Sequence, residues 1–154
     1  MDLQSLKWTK NVRRGDNAWA YSQFKASDLF KLAWKDDEAN ASRLEKGDLI
    51  LLRQQGYVTN LVRVLDYKAE REAWKGDYDI YRIVEVLWSI DFGNPPVSAK
   101  ADAMFGYSEV LDYRGGNVME LESLPTFRQR WDDDGGLRGF QTYTQNLLAL
   151  SSDG

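Results

Sequence analysis

The chain has 154 residues, a net charge of −4, 43% hydrophobic and 13% aromatic residues, and neither cysteine nor histidine. That length and apolar share fit one packed domain rather than a disordered segment. The missing cysteines exclude disulfides and thiolate metal sites, and the missing histidines exclude the commonest general base and every Ser-His or Cys-His nucleophile system. The chemistry left open rests on carboxylate pairs, Lys, Tyr, or a hard cation on Asp and Glu oxygens. No apolar run reaches the ~20 residues of a membrane span and no apolar leader opens the chain, so a cytoplasmic protein without a membrane partner is expected. The charge is unevenly spread. Residues 7–35 carry seven Lys and Arg against two acids, whereas residues 101–154 carry four Arg against nine acids.

In chain order, residues 6–12 read as a first strand and Arg13-Arg14-Gly15-Asp16-Asn17 as a loop. Residues 18–24 read as an extended segment with Ala18, Ala20, Ser22 and Phe24 on one side and Trp19, Tyr21 and Gln23 on the other. Ser27 and Asp28 look like the cap and first turn of a helix over 28–35, and Asp36 or Asp37 like the cap of a second running to Lys46, where Gly47 stops it. The apolar run 49–52 predicts a central strand covered on both faces. Residues 57–65 and 80–88 continue it as a meander, with the charged stretch 66–78 as a hairpin loop. Asp91-Phe92-Gly93-Asn94-Pro95-Pro96 ends that strand. A short helix at 99–104, strands at 107–113 and 118–121, a helix over 125–131 and an amphipathic closing helix over 138–150 complete the order. The fold class is therefore α+β: a strongly bent, mostly antiparallel sheet of five or six strands flanked by helices. Residues 1–150 form a single domain, and 151–154 are a tail that reads as the start of a linker.

Cations and aromatic residues interleave near the N-terminus at Trp8, Lys10, Arg13, Arg14, Asn17, Trp19, Tyr21, Ser22, Lys25 and Trp34. Aromatic faces stack on bases, Lys and Arg hold phosphates, and Asn or Ser reads a base edge. The same indoles also serve as ordinary core rings. Asp132-Asp133-Asp134 lacks the further ligands a Ca²⁺ loop needs and reads as a solvated loop, so no metal and no cofactor is expected. Gly115-Gly116 and Gly135-Gly136 match no phosphate-binding fingerprint and read as turns. Nothing in the spacing of Glu85, Asp91, Glu109, Glu120 and Glu122 selects a catalytic pair, so an enzyme is not expected.

The Asn17-x-Trp19 segment after a loop, Leu-Glu-Lys-Gly-Asp-Leu-Ile-Leu-Leu at 44–52, Leu-Val-Arg-Val-Leu-Asp at 61–66 and Tyr-Arg-Ile-Val-Glu-Val-Leu-Trp at 81–88 together resemble the PUA-like superfamily, most nearly its EVE and YTH type domains. The resemblance implies a pseudo-barrel that binds nucleic acid and takes a modified base into an aromatic pocket. It implies Asn17, Trp19 and Ser22 at the pocket rim, Lys10 on a phosphate or base, and Trp88 or Trp131 completing a cage. Tyr21 and Trp34 join the ligand-binding set, and Lys10, Arg13, Arg14 and Lys25 the phosphate-binding set. The expected function is non-catalytic recognition of DNA or RNA, with a fused or associated effector domain. The alternative is a protein-interaction or regulatory module using its acidic C-terminal half.

Overall fold

The computed structural model describes residues 2–14, 16–72 and 78–151, the side chains of 150 and 151 excepted. It runs β1 (Leu6–Asn11), β2 (Leu29–Trp34), α1 (Glu38–Ala41), β3 (Leu49–Gln54), β4 (Tyr57–Val64), β5 (Glu70–Arg71), β6 (Ile80–Ser89), α2 (Ala101–Phe105), β7 (Val118–Glu120), α3 (Pro125–Trp131) and α4 (Gly136–Ser151), with 3₁₀ turns between the later elements. The sheet order is β2-β6-β4-β3-β1-β7, and β5 also pairs with β6. Every pairing is antiparallel except β1 with β3, which is parallel.

All six residues of β3 are buried, as a run apolar on both faces requires. Leu49 and Leu51 face a core with Leu61, Trp88, Phe105, Phe127, Trp131 and Phe140, which α2, α3 and α4 cover. Ile50 and Leu52 face a second core that gathers Phe30, Leu32 and Trp34 from one end of the sheet with Trp8 and Val118 from the other. Strands at opposite ends of an open sheet share a core only if the sheet is rolled around it. The fold is thus α+β, a curled, mostly antiparallel half-barrel with helices on its outer face. Among the described residues no helix is long and apolar enough to cross a membrane.

Polar side chains fix the curl at defined points. Trp8 Nε1 donates to Asp48 Oδ2 at 3.0 Å, and the same oxygen accepts the Glu45 amide at 2.9 Å, so the Gly47-Asp48 turn is tied to β1. Arg82 is fully buried, its Nε 2.7 Å from Asp66 Oδ1 and its Nη1 2.8 and 2.6 Å from the carbonyls of Ala41 and Leu44. Gly135 (φ +93°) and Gly136 (φ +62°) make the corner between α3 and α4, and a Cβ on Gly139 would lie 1.9 Å from the Asp134 carbonyl.

Four sequence expectations are corrected. The helix expected over 28–35 is the strand β2: Asp28 Oδ2 accepts the Lys25 amide at 2.8 Å and caps a turn, and Ser27 N donates to Val86 O at 2.8 Å. The second helix stops after Ala41, although Asp37 does cap it, because the carbonyls of Ala41 and Leu44 are taken by Arg82. Residues 18–24 form turns, with Asn17 and Tyr21 both at φ +60°. Residues 107–113 hold a 3₁₀ turn, Ser108–Asp112, whose Val110 carbonyl, with that of Tyr113, accepts from buried Arg53. The 66–78 loop gives the short strand β5, while residues 73–77 and the tail residues 152–154 lie outside the described residues.

Candidate functional site

Rolling the sheet brings the outer edge of β2 close to the outer edge of β7, and the space between them is a seam. Asn40 spans it. Its Oδ1 accepts from Trp34 Nε1 on β2 and from the Val118 amide on β7, both at 2.8 Å, and its Nδ2 donates to the Val118 carbonyl at 3.1 Å. One carboxamide thus stands in for a missing strand, satisfying groups that an edge would otherwise leave open. Lys10, on β1, lies beside this latch. Its Nζ donates to the Gly116 carbonyl at 2.5 Å and sits 4.9 Å from the centre of the Trp34 ring.

Past the latch the seam opens into a cleft of about 720 Å³, walled by Lys10 and Arg13 from β1 and its exit, Lys31 and Ala33 from β2, Tyr21, Tyr81 and Arg114. A second hollow of about 340 Å³, lined by Asn17, Gln54 and Gln55, shares Asn11, Val12, Arg13, Arg14 and Arg114 with it. The described lining of the larger cleft has five cations against two carboxylates, Glu72 and Asp79. Both carboxylates are engaged, Glu72 with Lys31 at 2.8 Å and Asp79 with Arg71 at 3.3 Å. Arg14 meets Asp16 at 2.8 Å, whereas Arg13 and Arg114 have no ion-pair partner among the described residues. The excess positive charge in an acidic protein therefore collects where the sheet fails to close.

Burial sets the protonation of the floor. Lys10 is 3% exposed and has no carboxylate on it among the described residues, and desolvation pushes its amine down to about 7. Tyr21 stacks on Phe30 with ring centres 4.2 Å apart, and its Oη accepts the Ala33 amide at 3.1 Å. Desolvation keeps this phenol protonated above its ordinary range, partly offset by that hydrogen bond. The loop carrying Tyr21 is held by Gln54, whose carboxamide binds both the amide (2.8 Å) and the carbonyl (2.9 Å) of Ala20. Asn17, Tyr21 and Ser27, none of them glycine, all sit at positive φ in this loop. Such positions cost on the order of 1 kcal/mol each and concentrate at binding sites.

Of the residues singled out in the sequence, Lys10, Arg13, Arg14 and Tyr21 line the larger cleft, and Asn17 lines the adjoining hollow. Trp34 lies beneath Lys10 and is buried in the inner core. Trp19 is half-buried and meets Tyr57 and Phe92 edge-on, at 6.2 and 5.6 Å, rather than lining the cleft. Ser22 and Lys25 are exposed outside the lining. Trp88 and Trp131 are buried in the helix-covered core, on the face of the sheet opposite Trp8 and Trp34. Sequence reasoning missed Lys31, Tyr81, Arg114 and the latch Asn40. The Arg114-Gly115-Gly116 turn marks a loop, but nothing in it foretells that the loop meets Lys10.

No protein-family model, curated protein or solved structure matches the chain. The site must be read from its chemistry. A cleft of this volume suits a small ring system. Its tyrosines offer flat apolar contact, Asn11, Asn17 and Gln55 offer carboxamide donors and acceptors, and the arginines offer forked donors to anionic oxygens. Among the described residues no group of three acids converges to hold a metal ion.

Proposed function

We propose that this protein is a non-catalytic nucleic-acid recognition module that holds one extruded, modified base in the seam cleft, with the flanking phosphates on Arg13, Arg14 and Arg114. The observation that carries the reading is the pair of arginines without an ion-pair partner among the described residues, Arg13 and Arg114, over an aromatic wall in a chain of net charge −4. Extruding a base costs a few kcal/mol, which stacking at ~1–3 kcal/mol per ring and edge hydrogen bonds offset. Tyr21 and Tyr81 supply the rings, and the amides of Asn11, Asn17 and Gln55 supply the edge contacts. The resemblance to PUA-like domains at 44–52, 61–66 and 81–88 points the same way.

The test is fluorescence anisotropy of labelled single-stranded oligonucleotides, with and without a base modification, across a salt series. Three phosphate contacts give a slope of log affinity on log salt of about −2 on single strands. The triple variant R13S/R14S/R114S is expected to bind at least about tenfold more weakly and to lose most of that slope. Arg138→Ser, on α4, is expected to leave both unchanged. Equal binding by wild type and the triple variant would remove the cleft from the account.

A further inference from the structure

Lys10 is an unusual residue to find at the floor of a cationic cleft. Its amine is desolvated, lies on the face of Trp34, and makes one hydrogen bond, to the Gly116 carbonyl. No carboxylate neutralises it among the described residues; Arg13, Arg14, Lys31 and Arg114 line the same cleft, as do Glu72 and Asp79, which pair with Lys31 and Arg71. A lysine kept only to hold a phosphate stays exposed and charged, as a hydrated point charge. A lysine desolvated beside other cations is the arrangement that activates an amine as a nucleophile. With burial pushing the group down to about 7, a share of it is free amine at neutral pH. One N–H stays on Gly116, so the lone pair is left for a ligand.

We propose that Lys10 captures an aldehyde on the bound ligand, forming a reversible imine with a phosphate-bearing carbonyl compound held by the three arginines. The ligand's being nucleic acid rests on the function proposed above, and there the aldehyde is that of a ring-opened abasic sugar or a formylated base. The step balances without a further reagent. The amine lone pair adds to the carbonyl carbon, a proton passes from nitrogen to oxygen, and the carbinolamine hydroxyl leaves as water with the second nitrogen proton, giving C=N. Arg13, Arg14 and Arg114 position the anion, so that the carbonyl is presented to Nζ rather than to an exposed lysine.

The experiment is reductive trapping of the wild-type protein with cyanoborohydride at pH 7, followed by peptide mapping of the nine lysines of the chain. Three probes are used: an oligonucleotide with one abasic site, one with one formylated cytosine, and glyceraldehyde 3-phosphate. The expected result is an adduct on Lys10 formed at least about tenfold faster than on any other lysine, despite its burial. It is lost in Lys10→Arg and Lys10→Met and kept in Lys68→Arg, an exposed position. Mapping on the wild-type chain decides the matter even if a Lys10 variant fails to fold. Uniform labelling of exposed lysines by every probe would overturn the inference. If unmodified oligonucleotide binds in that case, the recognition reading stands alone. If only the small phosphorylated aldehyde labels Lys10 and no oligonucleotide binds, the amine chemistry stands and the nucleic-acid reading falls.

Discussion

Replacing Lys10 by Met is expected to stabilise the protein by roughly 2 kcal/mol at pH 7 and to give no gain at pH 10. The amine is lowered in the folded state to about 7 from an ordinary value of 10.5. Between those two values the unfolded chain holds the proton and the folded chain does not, so unfolding takes up a proton and stability rises with pH through that window. Below pH 7 the folded protein carries a buried ammonium without a carboxylate among the described residues, at a cost on the order of 5 kcal/mol. Met removes that term but leaves the Gly116 carbonyl without its partner, which returns about 1–3 kcal/mol. Urea denaturation of both proteins at pH 6, 7, 8.5 and 10 measures the difference. A flat difference across pH would mean that Lys10 is charged throughout and is a plain structural cation.

Asn40→Ala is expected to cost about 3–4 kcal/mol, a large loss for one polar residue. Three hydrogen bonds go at once, and they leave the Trp34 indole N–H and both backbone groups of Val118 buried or at an unprotected edge. Each orphaned group costs about 1–3 kcal/mol when water cannot reach it. The seam then loses its buried tie between α1, β2 and β7 and keeps the exposed bond that Asn117 Nδ2 donates to Asp37 Oδ2 at 3.0 Å. In hydrogen exchange the Val118 amide should lose protection well before the amides of β3, which the variant leaves untouched. Stability within about 0.5 kcal/mol of wild type would show that the half-barrel closes without its latch.

Much of the sheet was legible because β3, β4 and β6 announce themselves by apolar runs and period-two burial. α3 and α4 follow from Pro125 at a first helical position and from Phe140, Leu147 and Leu148 at helical spacing. β2 was hidden for a specific reason. Leu29 is 54% exposed, which spoils the alternation of Phe30, Leu32 and Trp34, and the Ser27-Asp28 pair that imitates a helix cap serves a turn instead.

The site was half legible. Lys10, Arg13, Arg14, Asn17 and Tyr21 come from one strand and the loop it feeds, so their proximity was written in sequence. Lys31 and Arg114 line one cleft only because β2 and the turn before β7 are brought together by closure of the roll, and closure leaves no periodic trace. The indoles carried no such information. Trp88 continues the spacing of Val84 and Val86, which face the inner core, but a register shift against β4 between Leu61 and Val62 turns it to the helix-covered face, and no spacing in the sequence foretells that shift.

Hydrogen exchange of the protein with and without a saturating single-stranded oligonucleotide tests the account most directly, because it asks where the ligand sits without presuming which residue matters. Slowed exchange at residues 10–14, 31–33 and 114–116, the three stretches that meet only at the seam, is the predicted outcome. Slowed exchange confined to α3 and α4, or none anywhere in the chain, would place the ligand elsewhere and contradict it.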